Sequence, residues 1–166
     1  MGYPNFARVA DELTRVLDVS ARELAAIPES RAAESRAPGK WSRKEIIGHL
    51  IDSASNNHQR FVRTVQGNGG EFAGYDQDAC VAIQRPGGFP WPALLDFWSG
   101  YNRFLAHVLR RLPGEAAGYM VRVGTYTPST LLWLAGDYVE HMKHHLNQVL
   151  GPRFETQYPL PRPTAT

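Results

Sequence analysis

Residues 127–150 read TPSTLLWLAGDYVEHMKHHLNQVL, and this stretch decides the architecture. Thr127-Pro128 opens it as an N-cap followed by proline at the first helical position. Gly151-Pro152 closes it near Leu150. The spacing predicts one helix, on which His141 and His145 lie a turn apart and face the same side. That is the separation at which a helix offers two imidazoles to one ion. His144 sits ~60° to the other side of His141 and is an alternative partner. Asp137, one turn before His141, is placed to accept a hydrogen bond from a ligand's second ring nitrogen.

Working outward, residues 41–61 read WSRKEIIGHLIDSASNNHQRF. Ser42 followed by Glu45 is a capping box, which starts a helix sharply. It reaches about Gln66, and GNGG stops it. At ~100° per residue, His49, Asp52, Asn56 and Arg60 fall near one line, with Ile47, Leu50, Ile51 and Ala54 on the flanks. His58 points the other way and shares no site with His49. By themselves these histidines fit two readings: a metal site, or solvated and half-buried rings on ordinary helix faces. His107 reads as a surface or helix-end residue.

Two more helices complete the pattern. One runs from about Asn5 to Ile27, with Phe6, Val9, Ala10, Leu13, Val16 and Leu17 on one stripe. The other runs from about Pro92 to Leu112 and is rich in large apolar residues. Between them, PESRAAESRAPGK reads as a polar connection. Residues 67–90 carry many glycines and no sustained period, which marks a loop that is either functional or disordered. Tyr119 to Thr127 alternates weakly and reads as extended. We therefore expect an all-α four-helix bundle over residues 1–152 and a proline-rich tail over 153–166, extended on the surface. The long second and third connections leave room for a topology other than up-down-up-down.

Composition narrows the function. The 166 residues are 43% hydrophobic and 20% charged, with a formal charge of +2, which suits a single globular domain. Lys and Arg are scattered, against a nucleic-acid partner. No stretch has the ~20 apolar residues of a membrane span, and the N-terminus lacks a signal-peptide core. The single cysteine, Cys80, excludes an intramolecular disulfide and fits the cytoplasm. Met142 follows His141, so this is not the His-Glu-x-x-His of metalloproteases. There is no Glu-x-x-His of di-iron bundles, no G-x-S-x-G elbow and no complete dinucleotide fingerprint.

The run Gly39-Lys40-Trp41-Ser42, then Glu45 and Gly48-His49-Leu50-Ile51-Asp52-Ser53, resembles the second helix of DinB/YfiT-like proteins. YVEHMKHHL at 138–146 resembles that family's fourth helix with its His-x-x-x-His pair, and VGTYTPSTLLWLAGDY at 123–138 fits as well. The resemblance spans roughly Asn5 to Leu150. It implies a bundle of the DinB/YfiT type in which His49, His141 and His145 hold one divalent transition metal ion, often nickel or zinc. It also implies a homodimer. Some members of the family are thiol transferases using bacillithiol, mycothiol or glutathione, and others were described as metal-dependent hydrolases.

Three imidazoles leave a metal ion with open positions, which is the coordination of a catalytic site rather than a closed structural one. The expected function is activation of a low-molecular-weight thiol for attack on a small-molecule electrophile. The alternatives are hydrolysis by a water nucleophile, or a metal-binding stress-response protein without turnover. Asp52, Asn56 and Arg60 are the candidates for orienting the thiol. The loop from Gly67 to Gly88, with Phe72, Tyr75 and Phe89, is expected to close over the substrate.

Overall fold

The computed structural model describes residues 2–160. Its helices are α1 (Phe6–Ala25), α2 (Glu29–Ala33), α3 (Arg43–Gly67), α4 (Gln77–Gln84), α5 (Trp91–Arg111) and α6 (Leu131–Leu150). Three short strands, β1 (Gly70–Phe72), β2 (Met120–Val123) and β3 (Ser129–Thr130), form one sheet in that order. The four long helices, α1, α3, α5 and α6, make the bundle. The fold class expected from the sequence is the one observed.

The helix boundaries follow local chemistry. Asn5 caps α1 by accepting from the Arg8 amide at 3.0 Å. The buried residues of α1 include Phe6, Val9, Ala10, Leu13, Val16 and Leu17, the stripe expected from its periodicity. Both halves of the Ser42–Glu45 capping box form on α3, and α3 ends at Asn68 in the left-handed conformation. α6 starts a turn later than the Thr127-Pro128 signal predicts. Ser129 and Thr130 instead pair with Val121 and Met120, so the chain stays extended to Thr130, whose hydroxyl caps the helix.

α1 packs against α5 and α6, and α3 packs against the same two helices. Helices consecutive in sequence, α1 with α3 and α5 with α6, therefore lie on diagonals. The connections that cross the bundle are the first, 26–42, and the third, 112–130. The second and longest, 68–90, joins neighbours. The core between the helices is apolar and includes Leu13, Leu17, Phe61, Trp98, Leu105 and Leu146.

The connections are more structured than their composition predicts. The polar segment after Pro28 contains α2, whose Glu29 carboxylate accepts from the Trp91 amide at 2.8 Å and so supplies the cap that α5 lacks in its own sequence. Glu29 also pairs with buried Lys44, which donates to the Phe89 carbonyl as well. In the 68–90 segment, β1 runs parallel to β2, and α4 is capped by Asp76. The tail does not lie free on the surface through residue 160. Phe154 is buried, Asn147 bonds both its amide and its carbonyl, and Thr156 donates to the Glu140 carbonyl at 3.0 Å. Residues 161–166 of the expected tail lie outside the described residues.

Gly48, immediately before His49, is required by a close approach. A Cβ there would stand 2.5 Å from Cγ of Pro86 in the 3-10 turn Pro86–Gly88. Neither α3 nor the proline ring yields easily. The helix-propensity gain of alanine, up to ~1 kcal/mol, is outweighed by overpacking at ~1–3 kcal/mol. Gly48→Ala is therefore expected to lower stability in urea unfolding and the melting temperature, although alanine is the better helix former.

Candidate metal centre

α3 and α6 meet side by side, and His49, His141 and His145 converge at their seam. One ring nitrogen from each lies within 4.8 Å of the others. His49 Nε2 and His141 Nε2 are 3.2 Å apart. Two imidazoles on a tetrahedral ion at ~2.0–2.1 Å put their nitrogens ~3.3 Å apart, so this separation is one edge of such a site. His49 is 1% exposed and His145 9%. His49 Nδ1 is buried with no hydrogen-bond partner among the described residues. Three neutral imidazoles with their nitrogens facing one another fit a divalent transition metal ion rather than an oxygen-preferring cation such as magnesium.

The electrostatics agree with a set of neutral ligands. Burial lowers His49 below the ordinary histidine value, with Asp52 and Asp78 acting against it. Burial lowers His141 well below that value, and the charges of His145, His49 and His144 add to the effect. His145 falls to about 3, through burial first and the neighbouring His49 and His144 next. All three are therefore unprotonated at neutral pH, the form that coordinates.

The surroundings come from three parts of the chain. Trp41, just before α3, packs its ring 5.1 Å from His49 and 6.4 Å from His145. Tyr158, from the tail, packs 5.1 Å from His141 and 5.3 Å from His144. Gln148 stands between two rings: its Oε1 is 3.3 Å from His145 Nδ1, and its Nε2 is 3.0 Å from His144 Nε2. His144 is thus engaged with Gln148 and Tyr158 and is not part of the three-ring cluster. Trp41 entered the sequence reading only as part of the family-like run, with no role at the histidines, and Gln148 and Tyr158 were not singled out. Gln148 had a signal, since it sits three residues after His145 and four after His144. Tyr158 had none.

A cleft of about 510 Å³ opens onto the cluster. His49, Ser53, Asn57 and Arg60 line it from α3, and Asp137, Tyr138 and His141 from α6. Tyr75 and the β2–β3 region, including Val121, Tyr126 and Ser129, form the remaining wall. Of the three candidates on α3, only Arg60 lines this cleft. Asp52 borders a separate depression with Ser55 and Tyr101, and Asn56 bonds back to the Asp52 carbonyl at 3.0 Å. The reason is rotational. Ser53 lies ~40° to one side of His49 and Asp52 ~60° to the other, and α6 approaches on the Ser53 side. Asp137 does line the cleft one turn before His141. Of the three aromatic residues in the expected closing loop, Tyr75 lines the cleft and is pushed up to about 12, mainly by burial. Phe72 packs beneath Arg63, and Phe89 is half exposed.

The fold and this seam define a class: a four-helix bundle with diagonal connections and three histidines where its second and fourth long helices meet. The chain belongs to the DinB superfamily, whose model matches residues 6–149. Among solved structures it is similar to YfiT from Bacillus subtilis, described as "a probable metal-dependent hydrolase with an unusual four-helix bundle topology". The two share 20% identity and a TM-score of 0.71 over 87% of this chain and 81% of that one. No curated protein matches the chain.

The depressed histidines give a pH prediction with a definite sign. The unfolded chain binds protons at these rings near pH 6.5, whereas the folded chain resists them, so acid favours unfolding. Metal-free protein should keep its full stability above ~6.5 and lose it as pH falls from there toward about 3, the value of His145. Urea midpoints measured across that window should decline, and His141→Gln should show a shallower decline than the parent chain. Parallel curves for the two proteins would contradict the assignment.

Proposed function

We propose that the chain is a metal-dependent enzyme that activates a low-molecular-weight thiol for transfer to a small electrophile. The observation that carries this reading is the convergence of His49, His141 and His145 beside a polar cleft sized for a small molecule, which His49 and His141 line. A divalent ion held there, nickel or zinc as the family resemblance implies, would supply positive charge that favours the deprotonated thiol at neutral pH. The protein's part is to hold and orient. His49 and His145 present buried neutral rings from two helices that cannot shift independently of the core. Trp41 and Tyr158 flank the rings and limit the approach of water. Asp137, Asn57 and Ser53 line the cleft and can position the polar groups of a thiol. The thiol loses its proton, the thiolate forms an S–C bond as the electrophile's carbon–leaving-group bond breaks (or its π or ring bond opens), and the departing group or addition product takes up a proton.

Hydrolysis is the second reading, favoured by the description of YfiT. The same charge would serve a water nucleophile, and Asp137 stands in the cleft where a base would be needed. The proposal also includes a homodimer. Phe97 and Phe104 are more than half exposed on α5 and stack with Tyr101 and His107, and light scattering of the purified chain tests whether copies associate.

Elemental analysis should find one transition metal ion per chain. His145→Ala should lose most of it, and full retention would refute the ligand set. Chelation should lower the melting temperature by several degrees, because metal bound only to the folded state adds ~4 kcal/mol at a thousandfold excess over Kd. Conjugation of thiols to a chromogenic electrophile should disappear in the same chelated samples. Ester or amide cleavage without thiol conjugation would favour the hydrolytic reading. Metal binding with neither activity would favour a protein without turnover.

A further inference from the structure

Arg60 stands about three turns beyond His49 on α3 and lines the same cleft. It is only 8% exposed. The other buried cationic side chains among the described residues, leaving histidine aside, are fully partnered. Lys44 has Glu29 and the Gly87 and Phe89 carbonyls, and Lys143 has Glu12 and Glu140. Arg60 differs. Its guanidinium carries five N–H donors, and one of them reaches Asn57 Oδ1 at 3.4 Å. Among the described residues it has no carboxylate partner. Asp76, which also lines the cleft, spends its side chain on the Asp78 and Ala79 amides, and Asp137 stands on the opposing helix a turn from His141.

A buried charge without a partner is costly. A fork of open donors facing a cleft matches the two oxygens of a carboxylate, which Arg binds bidentately. Side chains on a helix lean toward its N-terminus, so the Arg60 fork leans back toward His49. The helical rise from His49 to Arg60 is ~16 Å, a gap that the arginine's reach shortens but that a lean shared with His49 does not close, so a molecule touching both ends is extended. We propose that Arg60 is a specificity-determining residue that binds a carboxylate of the small molecule whose reacting group lies at the histidines. This rests on the reading of those histidines as the reacting end. It narrows the substrate or thiol to an extended acid and disfavours compact neutral thiols. Asn57, one turn before Arg60, holds one guanidinium nitrogen and orients the fork.

The test is calorimetric titration of the full-length purified chain with glutarate, with its uncharged diamide, and with inorganic phosphate. Parent protein, Arg60→Gln, Arg60→Lys and His145→Ala are compared, and metal content is measured in every sample. Glutarate is expected to bind the parent saturably and the diamide at least tenfold more weakly. Arg60→Gln should weaken glutarate tenfold or more, and Arg60→Lys by less. His145→Ala should leave glutarate binding within about twofold. Unchanged glutarate binding in folded Arg60→Gln would overturn the proposal. So would loss in His145→Ala with retention in Arg60→Gln, which would put the carboxylate at the histidines. If Arg60→Gln fails to fold, equal binding of diacid and diamide by the parent overturns it. Phosphate binding tighter than glutarate and dependent on Arg60 would replace the carboxylate by a phosphate ester. Absence of metal from samples that bind glutarate through Arg60 would count against the metal reading alone.

Discussion

The structure depends on the packing of α3 directly against α6. Adjacent helices lie 8–10 Å apart, and diagonal ones roughly 1.4 times as far. An up-down-up-down order would put the second and fourth long helices on a diagonal. Here they are neighbours, so His49 meets His141 and His145 at ring contact in a buried seam. The diagonal path of the 26–42 and 112–130 connections is what makes that adjacency possible. Burying three imidazoles has a cost that apolar side chains would not incur. It is met in part by the ring packing of Trp41 and Tyr158 and in part by the hydrogen bond from the cluster to Gln148.

The connections build the site as well as span the bundle. The 26–42 segment places Trp41 over two of the histidines, and its Arg36 donates to the Gln148 carbonyl at 2.6 Å. The 68–90 and 112–130 segments are tied together by the β1–β2 pairing and form the outer wall of the cleft. The tail returns along α6, anchored at Asn147 and Glu140, and delivers Tyr158 to His141. A mostly helical core thus carries a site whose outer wall is non-helical, as expected where rigid elements position ligands and loops decide what may approach them.

Charge is handled in two ways. Lys44 and Lys143 are buried with carboxylates and act as staples. The first joins α2, α3 and the segment before α5, and the second joins α6 to α1. Such pairs contribute through specificity of arrangement more than through net stability, and loss of either partner strands the other. The cleft instead keeps a charge without a carboxylate among the described residues: Arg60 has Asn57 and the neighbouring Tyr75, and Tyr75 bonds to Ser53. That difference separates side chains that hold the fold from those available to a ligand.

By itself the sequence determined the long helices, their caps and their apolar stripes. These depend on residues three or four apart, and nothing distant overrides them: Asn5, Ser42 with Glu45, and the α1 stripe all behave as their local chemistry requires. The pairing of His141 with His145 was legible for the same reason, and the family resemblance added His49 to it. What only the tertiary structure decided involves partners far apart in the chain. Ser129 and Thr130 are strand rather than helix because Met120 and Val121 bond them. Glu29 caps a helix 62 residues away. On α3, Asp52 and Ser53 are equally polar neighbours of the His49 line, and periodicity alone does not rank them. The direction from which α6 arrives turns Ser53 and Asn57 into the cleft and leaves Asp52 and Asn56 outside it. Helical spacing places a side chain on an angular scale about its own axis, whereas the zero of that scale is set by whatever the helix packs against.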